Sequence, residues 1–171
     1  MMAVTGEILP DDPGFELRFD EVYDTVADDL WKAITTPERL GGWMADYRGE
    51  FRLGGRWQAF TREGELYCDG EVTACERPHG FTTTWTVVGE PASLVTVRLE
   101  PVEGGRTRLR LRHERATRPD YGPGWHTYLE SLAWHLADPG APRDRDRWDA
   151  RFAELEPGYA ARLAAIIPPA P

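Results

Sequence analysis

Residues 81–114 read FTTTWTVVGEPASLVTVRLEPVEGGRTRLRLRHE. Phe81 to Val88 runs into Gly89-Glu90-Pro91, Leu94 to Val102 runs into Gly104-Gly105, and Arg106 to Glu114 completes the set. β-Branched and aromatic residues fill the runs and glycine or proline fills the joints, the composition of strands and turns. The joints leave no room for crossover helices, so the strands are antiparallel. Side-chain parity then assigns faces. Thr107, Leu109, Leu111 and His113 point inward, while Arg108, Arg110 and Arg112 point to solvent, opposite acids on neighbouring strands. By the same count Phe81, Thr83, Trp85 and Val87 share one face, as do Val95, Val97 and Leu99.

Moving upstream, the same alternation continues. Gly49 to Leu53 leads to Gly54-Gly55, read as a two-residue hairpin turn of positive φ. Arg56 to Thr61 follows, then the turn Glu63-Gly64, then a long strand from Leu66 to Glu76 that stops at Arg77-Pro78-His79-Gly80. Cys68, Gly70 and Val72 take the inward face of that strand, and Trp57 joins them. Thr25 and Asp28 match a capping box that opens a short helix through Leu30, Trp31 and Ile34. Thr36-Pro37-Glu38 starts a second one, with threonine at the N-cap and proline at the first helical position. Gly41-Gly42 ends or kinks it before Trp43-Met44. Further back, Phe15, Leu17 and Phe19 alternate with Glu16, Arg18 and Asp20 as a half-buried strand. Residues 1–14, with Pro10-Asp11-Asp12-Pro13-Gly14, read as a flexible lead-in.

Downstream of the strands, Pro123 is the expected first residue of a helix running to about Ala137. Trp125, Tyr128, Leu129, Leu132, Ala133 and Leu136 recur there at the three-four spacing of one apolar face. Asp138-Pro139-Gly140 ends it. Arg143 to Ile166 carries a second helical pattern through Trp148, Phe152, Leu155, Tyr159 and Leu163, interrupted at Pro157-Gly158. The expected organisation is therefore α+β, with one domain over residues 15–140 and a helical extension, 141–171, packed on it. A strongly bent antiparallel sheet cannot lie flat on one helix. It wraps around it, and the space between is filled by side chains or left as a cavity.

The chain has 171 residues, 41% of them hydrophobic and 29% charged, which suits one folded domain with a real core. A net charge of −9 argues against a nucleic-acid partner, which needs concentrated positive charge. There is no run of about 18 apolar residues, so no membrane insertion is expected. The first residues lack the basic-then-apolar pattern of a signal peptide. Cys68 and Cys75 lie seven apart in one strand, on opposite faces by parity, so they should stay unpaired in a reduced, cytoplasmic protein.

With the order of elements in place, the local motifs carry a resemblance. Leu30-Trp31-Lys32-Ala33-Ile34-Thr35-Thr36-Pro37-Glu38-Arg39-Leu40 through Trp43 resembles a "VW.AIT.PE.L..W" signature. Gly54-Gly55-Arg56-Trp57, Gly70-Glu71-Val72 leading to Pro78, and Thr84-Trp85 match next. Gly104-Gly105-Arg106-Thr107-Arg108-Leu109 continuing to His113, and Gly124-Trp125 with Tyr128-Leu129 and Leu132, complete it. Over about residues 15–140 the chain resembles the START-like (SRPBCC) superfamily, in its Activator of Hsp90 ATPase homologue 1-like (AHSA1-like) group. The resemblance implies a helix-grip (START/Bet v 1-like) fold. Functions on that scaffold span lipid carriers, hormone receptors, cyclases and co-chaperones, so function has to come from the site.

The expected site is an enclosed cavity of a few hundred Å3 between sheet and helix. Its predicted lining is Trp43, Trp57, Cys68, Val72, Trp85, Val97, Leu109, Leu111, His113, Trp125, Tyr128, Leu129 and Leu132. Indoles and aliphatics with few polar groups suit a small hydrophobic or aromatic ligand, bound without catalysis and without a cofactor. Seven tryptophans can equally fill that space as core. A second reading is a cyclase- or hydrolase-type enzyme, with His113 as general base beside Tyr67 or Tyr128. Against it, His113 can be a structural histidine, and neither Ser93 nor Ser131 sits in a nucleophile elbow. The third is a chaperone-related interaction module, which needs an exposed apolar patch around Trp148, Phe152 and Tyr159. A homodimer stays open under each reading. No metal is expected: His126 and His135 are nine apart on one helix, about half a turn out of phase.

Overall fold

A computed structural model describes residues 4–167; residues 1–3 of the lead-in and 168–171 of the extension lie outside the described residues. Eight strands form a single curved antiparallel sheet, in the order β1-β2-β8-β7-β6-β5-β4-β3. They are β1 (Gly6–Pro10), β2 (Phe15–Tyr23), β3 (Asp46–Gly49), β4 (Arg56–Phe60), β5 (Leu66–Glu76), β6 (Gly80–Val87), β7 (Ser93–Val102) and β8 (Arg106–Ala116). Helices α1 (Ala27–Thr35) and α2 (Pro37–Leu40) follow β2, and α3 (Tyr121–Ala137) and α4 (Arg145–Ile166) follow β8. This is the helix-grip arrangement, α+β.

Parity on β6, β7 and β8 holds throughout. Phe81, Thr83, Trp85, Val87, Val95, Val97, Leu99, Thr107, Leu109, Leu111 and His113 are all buried. On the outer face Arg108 Nε donates to Asp20 at 2.9 Å, Arg110 reaches Asp20 and Glu100, and Arg112 pairs with Glu16. Exposed pairs of this kind contribute little each, roughly 0–1 kcal/mol. The stripe is a solvated sheet face. Inside, α3 is fastened by Tyr23, whose hydroxyl donates to the Leu129 carbonyl at 2.8 Å. Trp43 anchors the end of α2 by donating from Nε1 to the Ala33 carbonyl at 2.9 Å.

Several local expectations need correction. The lead-in holds a strand, because Gly6 to Pro10 can pair with Phe15 to Phe19 around a tight turn in which Gly14 takes φ +78°. The hairpin before β4 is longer than two residues: β3 ends at Gly49, and the turn runs from Arg52 to Gly55, with a 2.7 Å bond from Gly55 N to Arg52 O. Gly54 alone takes positive φ there, +76°, the geometry of a type II turn. Phe51, read as a strand residue, instead swings inward from this loop. Thr25 is not the N-cap; that position is Val26, and the Thr25 hydroxyl donates to Asp29 at 2.7 Å. Helix α3 starts two residues early, at Tyr121. Helix α4 runs unbroken through Pro157; Ala153, whose carbonyl a proline there leaves without its helical partner, is an exposed residue.

Parity also misplaces Cys75. A register shift between Val72 and Ala74 inserts one residue, so Cys75 pairs with Phe81 and takes the inward face after all. Seven residues of strand still separate it from Cys68 by about 23 Å. Both thiols are free.

The extension docks on its own domain. Helix α4 lies along α3 and touches β1. Arg151 grips Glu130 of α3 with two bonds, at 2.8 and 2.9 Å, and the Tyr159 hydroxyl meets His126 Nδ1 at 2.8 Å. Tyr159 is buried, and a Cβ on Gly122 would fall 2.6 Å from its ring. Gly122→Ala is therefore expected to loosen α4, at a cost of about 1–3 kcal/mol. Limited proteolysis should then cut after Ala137 sooner than in the parent; equal cutting rates would refute the docking role.

Candidate functional site

The interior of the grip is nearly full. Trp57, Trp85 and Trp125 pack as a ladder with centroids 5.2 Å apart at each step. Phe51 lies flat on Trp57, with 12° between the rings, and Tyr47 tilts against both. What remains is an inner space of about 50 Å3, walled by Trp43, Met44, Leu109, Leu111, Leu129 and Leu132 among others. At about 10–15 Å3 per water, and with benzene needing about 150 Å3, that is no chamber for an organic guest. The expected enclosed pocket of a few hundred Å3 is thus corrected. Phe51 and Met44, both from loops, occupy the volume that strand parity alone leaves open.

His113 is accounted for by structure. It is fully buried. Trp125 Nε1 donates to its Nδ1 at 2.9 Å, so the ring proton sits on Nε2, which faces Ser93 Oγ at 2.7 Å. The Ser93 hydroxyl in turn donates to the Trp85 carbonyl at 2.9 Å. Burial pushes the His113 pKa down to about 3. Its one lone pair is committed to an indole N–H, so it cannot take a proton from a substrate. Ser93 and His113 adjoin but no carboxylate orients them, and the serine hydroxyl is spent on a carbonyl. Burial raises the Tyr67, Tyr121 and Tyr128 hydroxyls and the Cys68 thiol, which keeps all four protonated. Among the described residues no group of three His, Cys, Asp or Glu stands where a metal could be held.

Two larger spaces, each of about 600 Å3, lie nearer the surface: one bordered by Glu90, Arg118, Asp120 and Glu156, with no aromatic wall, and one at the mouth. A groove of about 600 Å3 runs between the end of α2, the β4–β5 turn, α3 and the start of α4. Its apolar wall is Met44, Phe60, Tyr67, Tyr128, Trp134 and Trp148. Tyr128 packs against Trp148 at 4.9 Å, and Trp148 stacks on Phe152 at 5.3 Å. The polar rim is largely paired: Arg62 with Asp149 at 2.7 and 2.9 Å, and Arg143 with Asp46 at 3.1 Å. The Arg147 guanidinium lies 3.6 Å over the Trp134 ring, and Asp144 caps α4 by accepting from Arg147 N at 2.9 Å. A smaller pocket of about 50 Å3, the throat, is bordered by Met44, Tyr67, Tyr128, Trp85 and Trp125 and shares Met44, Ala45, Tyr67 and Tyr128 with the groove. Met44 borders the groove, the throat and the inner space alike. The Tyr47 hydroxyl donates to its sulfur at 3.4 Å.

Two residues of the groove wall, His135 and Trp148, hold buried nitrogens without a partner. His135 Nε2 accepts from Arg39 Nε at 2.8 Å, and Arg39 is held by Asp29 at 2.9 Å. The imidazole proton is therefore on Nδ1, which is buried and has no partner. Burial and the neighbouring Arg39 lower the His135 pKa and keep the ring neutral. Trp148 Nε1 is likewise buried and unpartnered. Leaving such a group unmade costs about 1–3 kcal/mol.

Of the predicted lining, Trp43, Trp57, Trp85, Val97, Leu109, Leu111, Trp125, Leu129 and Leu132 converge on the inner space, and Tyr128 stands at groove and throat. Cys68 and Val72 are buried but border none of these spaces, and His113 lies behind Trp85 and Trp125. The patch expected around Trp148, Phe152 and Tyr159 is largely covered: Trp148 and Tyr159 pack on α3, and half-buried Phe152 stacks on Trp148 of its own helix. The sequence reading missed Met44 and Phe51, which sit in loops without periodicity, Tyr47, which lies in the four-residue strand β3, and Trp134 and His135, which lie off the apolar stripe of α3. No helix is long and apolar enough to cross a membrane.

Fold and site together define a helix-grip protein with a plugged interior and an aromatic groove at its mouth. Residues 24–137 match the family of Activator of Hsp90 ATPase homolog 1-like proteins, and the chain belongs to that family. Among solved structures it is similar to CalU16 from Micromonospora echinospora. The crystal structure of CalU16 is 25% identical, with a TM-score of 0.70 over 95% of this chain and 97% of that one. The solution structure gives 24%, 0.76, 97% and 98%. An HSP90 activator from Plasmodium falciparum is 22% identical, with a TM-score of 0.60 over 71% of this chain and 96% of its own. The Aha1 dimer from Colwellia psychrerythraea is 19% identical, with a TM-score of 0.63 over 74% and 98%. Both of these share the fold. No curated protein matches the chain.

Proposed function

We propose that this protein binds a small hydrophobic or aromatic molecule without transforming it, and that the molecule lies in the groove between α3, α4 and the β4–β5 turn. The observation that carries this reading is the combination of about 600 Å3 of open volume with an aromatic wall of Tyr67, Tyr128, Trp134 and Trp148. Stacking on such rings favours flat apolar guests. A guest longer than the groove enters the throat by displacing Met44, whose unbranched thioether adapts easily. The catalytic alternative lacks a base, since both nitrogens of His113 are engaged. Against the interaction-module alternative stand the burial of Tyr159 and the packing of Trp148 on Tyr128. We place the protein in the cytoplasm, where the free thiols of Cys68 and Cys75 persist.

The neutral fluorophore N-phenyl-1-naphthylamine tests the reading. Saturable one-to-one binding is expected, and Trp134→Ala should weaken it about tenfold while shifting the melting temperature by only a few degrees. Failure of the parent to bind, or indifference of binding to Trp134→Ala, would remove the groove as the site. Native mass spectrometry of freshly purified protein would identify a retained guest and report monomer or homodimer in the same spectrum.

A further inference from the structure

Among the described residues, Met44 alone borders the groove, the throat and the inner space together. It is half-buried. Its backbone is fixed in the turn after α2, where Met44 N donates to the Leu40 carbonyl at 2.8 Å. Its sulfur accepts from the Tyr47 hydroxyl at 3.4 Å, and among the described residues that hydroxyl makes no other hydrogen bond. Tyr47 is itself buried and held in place by tilted contacts with Phe51 and Trp57. Burial pushes its ionisation well above the ordinary tyrosine range, so the hydroxyl stays a donor. A thioether is only a weak acceptor. The buried donor is therefore poorly met, and an oxygen added to the sulfur would meet it.

We infer that Met44 is an oxidation site, converted to the sulfoxide by hydrogen peroxide or another small hydroperoxide, with Tyr47 donating to the new oxygen. In this step the sulfur lone pair attacks the hydroxyl oxygen of the peroxide; an S–O bond forms and the O–O bond breaks. Sulfur is oxidised by two electrons. The departing oxygen is reduced, takes up the hydroxyl proton and leaves as water, or as the alcohol of an organic hydroperoxide. A polar group in apolar surroundings is costly unless it is hydrogen-bonded, and Tyr47 supplies that bond, so the fold survives the change. The consequence for a guest rests on the proposed groove site. An apolar molecule then meets a polar S–O group where a pliable thioether stood, and its binding weakens.

Peroxide treatment of the full-length protein tests this, read by peptide mass mapping that separates Met44 from Met1 and Met2. Met44 should gain one oxygen at a rate within about tenfold of N-acetylmethionine in the same tube. Oxidation should shift the melting temperature of the parent by less than about 2 °C and lower that of Tyr47→Phe by about 5 °C, because only the parent meets the new oxygen. N-Phenyl-1-naphthylamine should bind the oxidised parent about tenfold more weakly than the untreated one. Met44→Leu, whatever its own affinity, should bind the probe equally before and after peroxide. Slower oxidation than that, equal melting shifts in parent and Tyr47→Phe, or a probe affinity untouched by oxidation overturns the inference. If the probe fails to bind the untreated protein, the groove reading falls alone, and the mass and melting readouts still decide the oxidation site.

Discussion

Replacing His113 by leucine is expected to destabilise the protein near neutral pH and to stabilise it, relative to the parent, in acid. At pH 7.5 the variant strands the Trp125 N–H, which now donates to Nδ1, inside the core. An orphaned buried donor costs about 1–3 kcal/mol, and leucine is close enough in volume to add little strain. The sign then changes with pH. His113 has a folded-state pKa near 3 against an ordinary 6.5, because burial disfavours the cation. Below about pH 6.5 the unfolded chain binds a proton there that the folded chain refuses, so the parent loses up to about 1.4 kcal/mol per pH unit as pH falls towards 3. Above 6.5 the contribution is complete. The leucine variant has no such loss, and every other titrating group cancels in the comparison. The two stability curves should cross near pH 5, read by urea unfolding at pH 7.5, 6, 5 and 4. A constant gap across that range would mean that His113 titrates in the folded protein, and the structural role assigned to it would fail.

The behaviour of His113 also shows how far a sequence carries the argument. Its inward parity on β8 was legible from Arg106 to Glu114 alone, because alternating arginines cannot share a face with leucines in a half-buried strand. That the ring is saturated from both sides was not legible. Ser93 is 20 residues away and Trp125 is 12, and nothing in local pattern says which edge of an imidazole each will meet. The same division holds across the molecule. The strands β5 to β8 and the apolar stripe of α3 follow from periods of two and of three to four. The residues that decide the cavity, Phe51 and Met44, come from loops, where no period exists and direction is set by long-range packing. One inserted residue, at the Val72–Ala74 bulge, was enough to turn Cys75 to the other face. The groove depends on α4 returning along α3, which brings Trp148 to Tyr128 across 20 residues of sequence. Amphipathic spacing announced the helix but not the seam it would close.

Trp85→Ala is expected to lower stability by about 3–5 kcal/mol and to turn the plugged grip into a receptor for small aromatics. Trp85 is the middle rung of the ladder, touching Trp57 on one side and Trp125 on the other, each at 5.2 Å. Large-to-small replacement of a buried tryptophan loses transfer energy and leaves a cavity the neighbours fill only partly. The lower end of the range is favoured here, because the Trp85 N–H has no partner and nothing is broken by removing it. Trp57 differs, since its N–H donates to Thr83 at 2.7 Å. The melting temperature should fall by about 10 °C. The space vacated by the indole, added to the existing 50 Å3, approaches the size at which apolar cavities take up benzene. Free indole at about ten times its dissociation constant should then restore about 1.4 kcal/mol to the variant and nothing to the parent. Differential scanning calorimetry with and without indole gives both numbers. A variant that melts like the parent, or that ignores indole, would show that the three tryptophans do not plug the grip. In that case the small interior could not be assigned to the ladder, and the proposed groove site would lose the argument that prefers it to the interior.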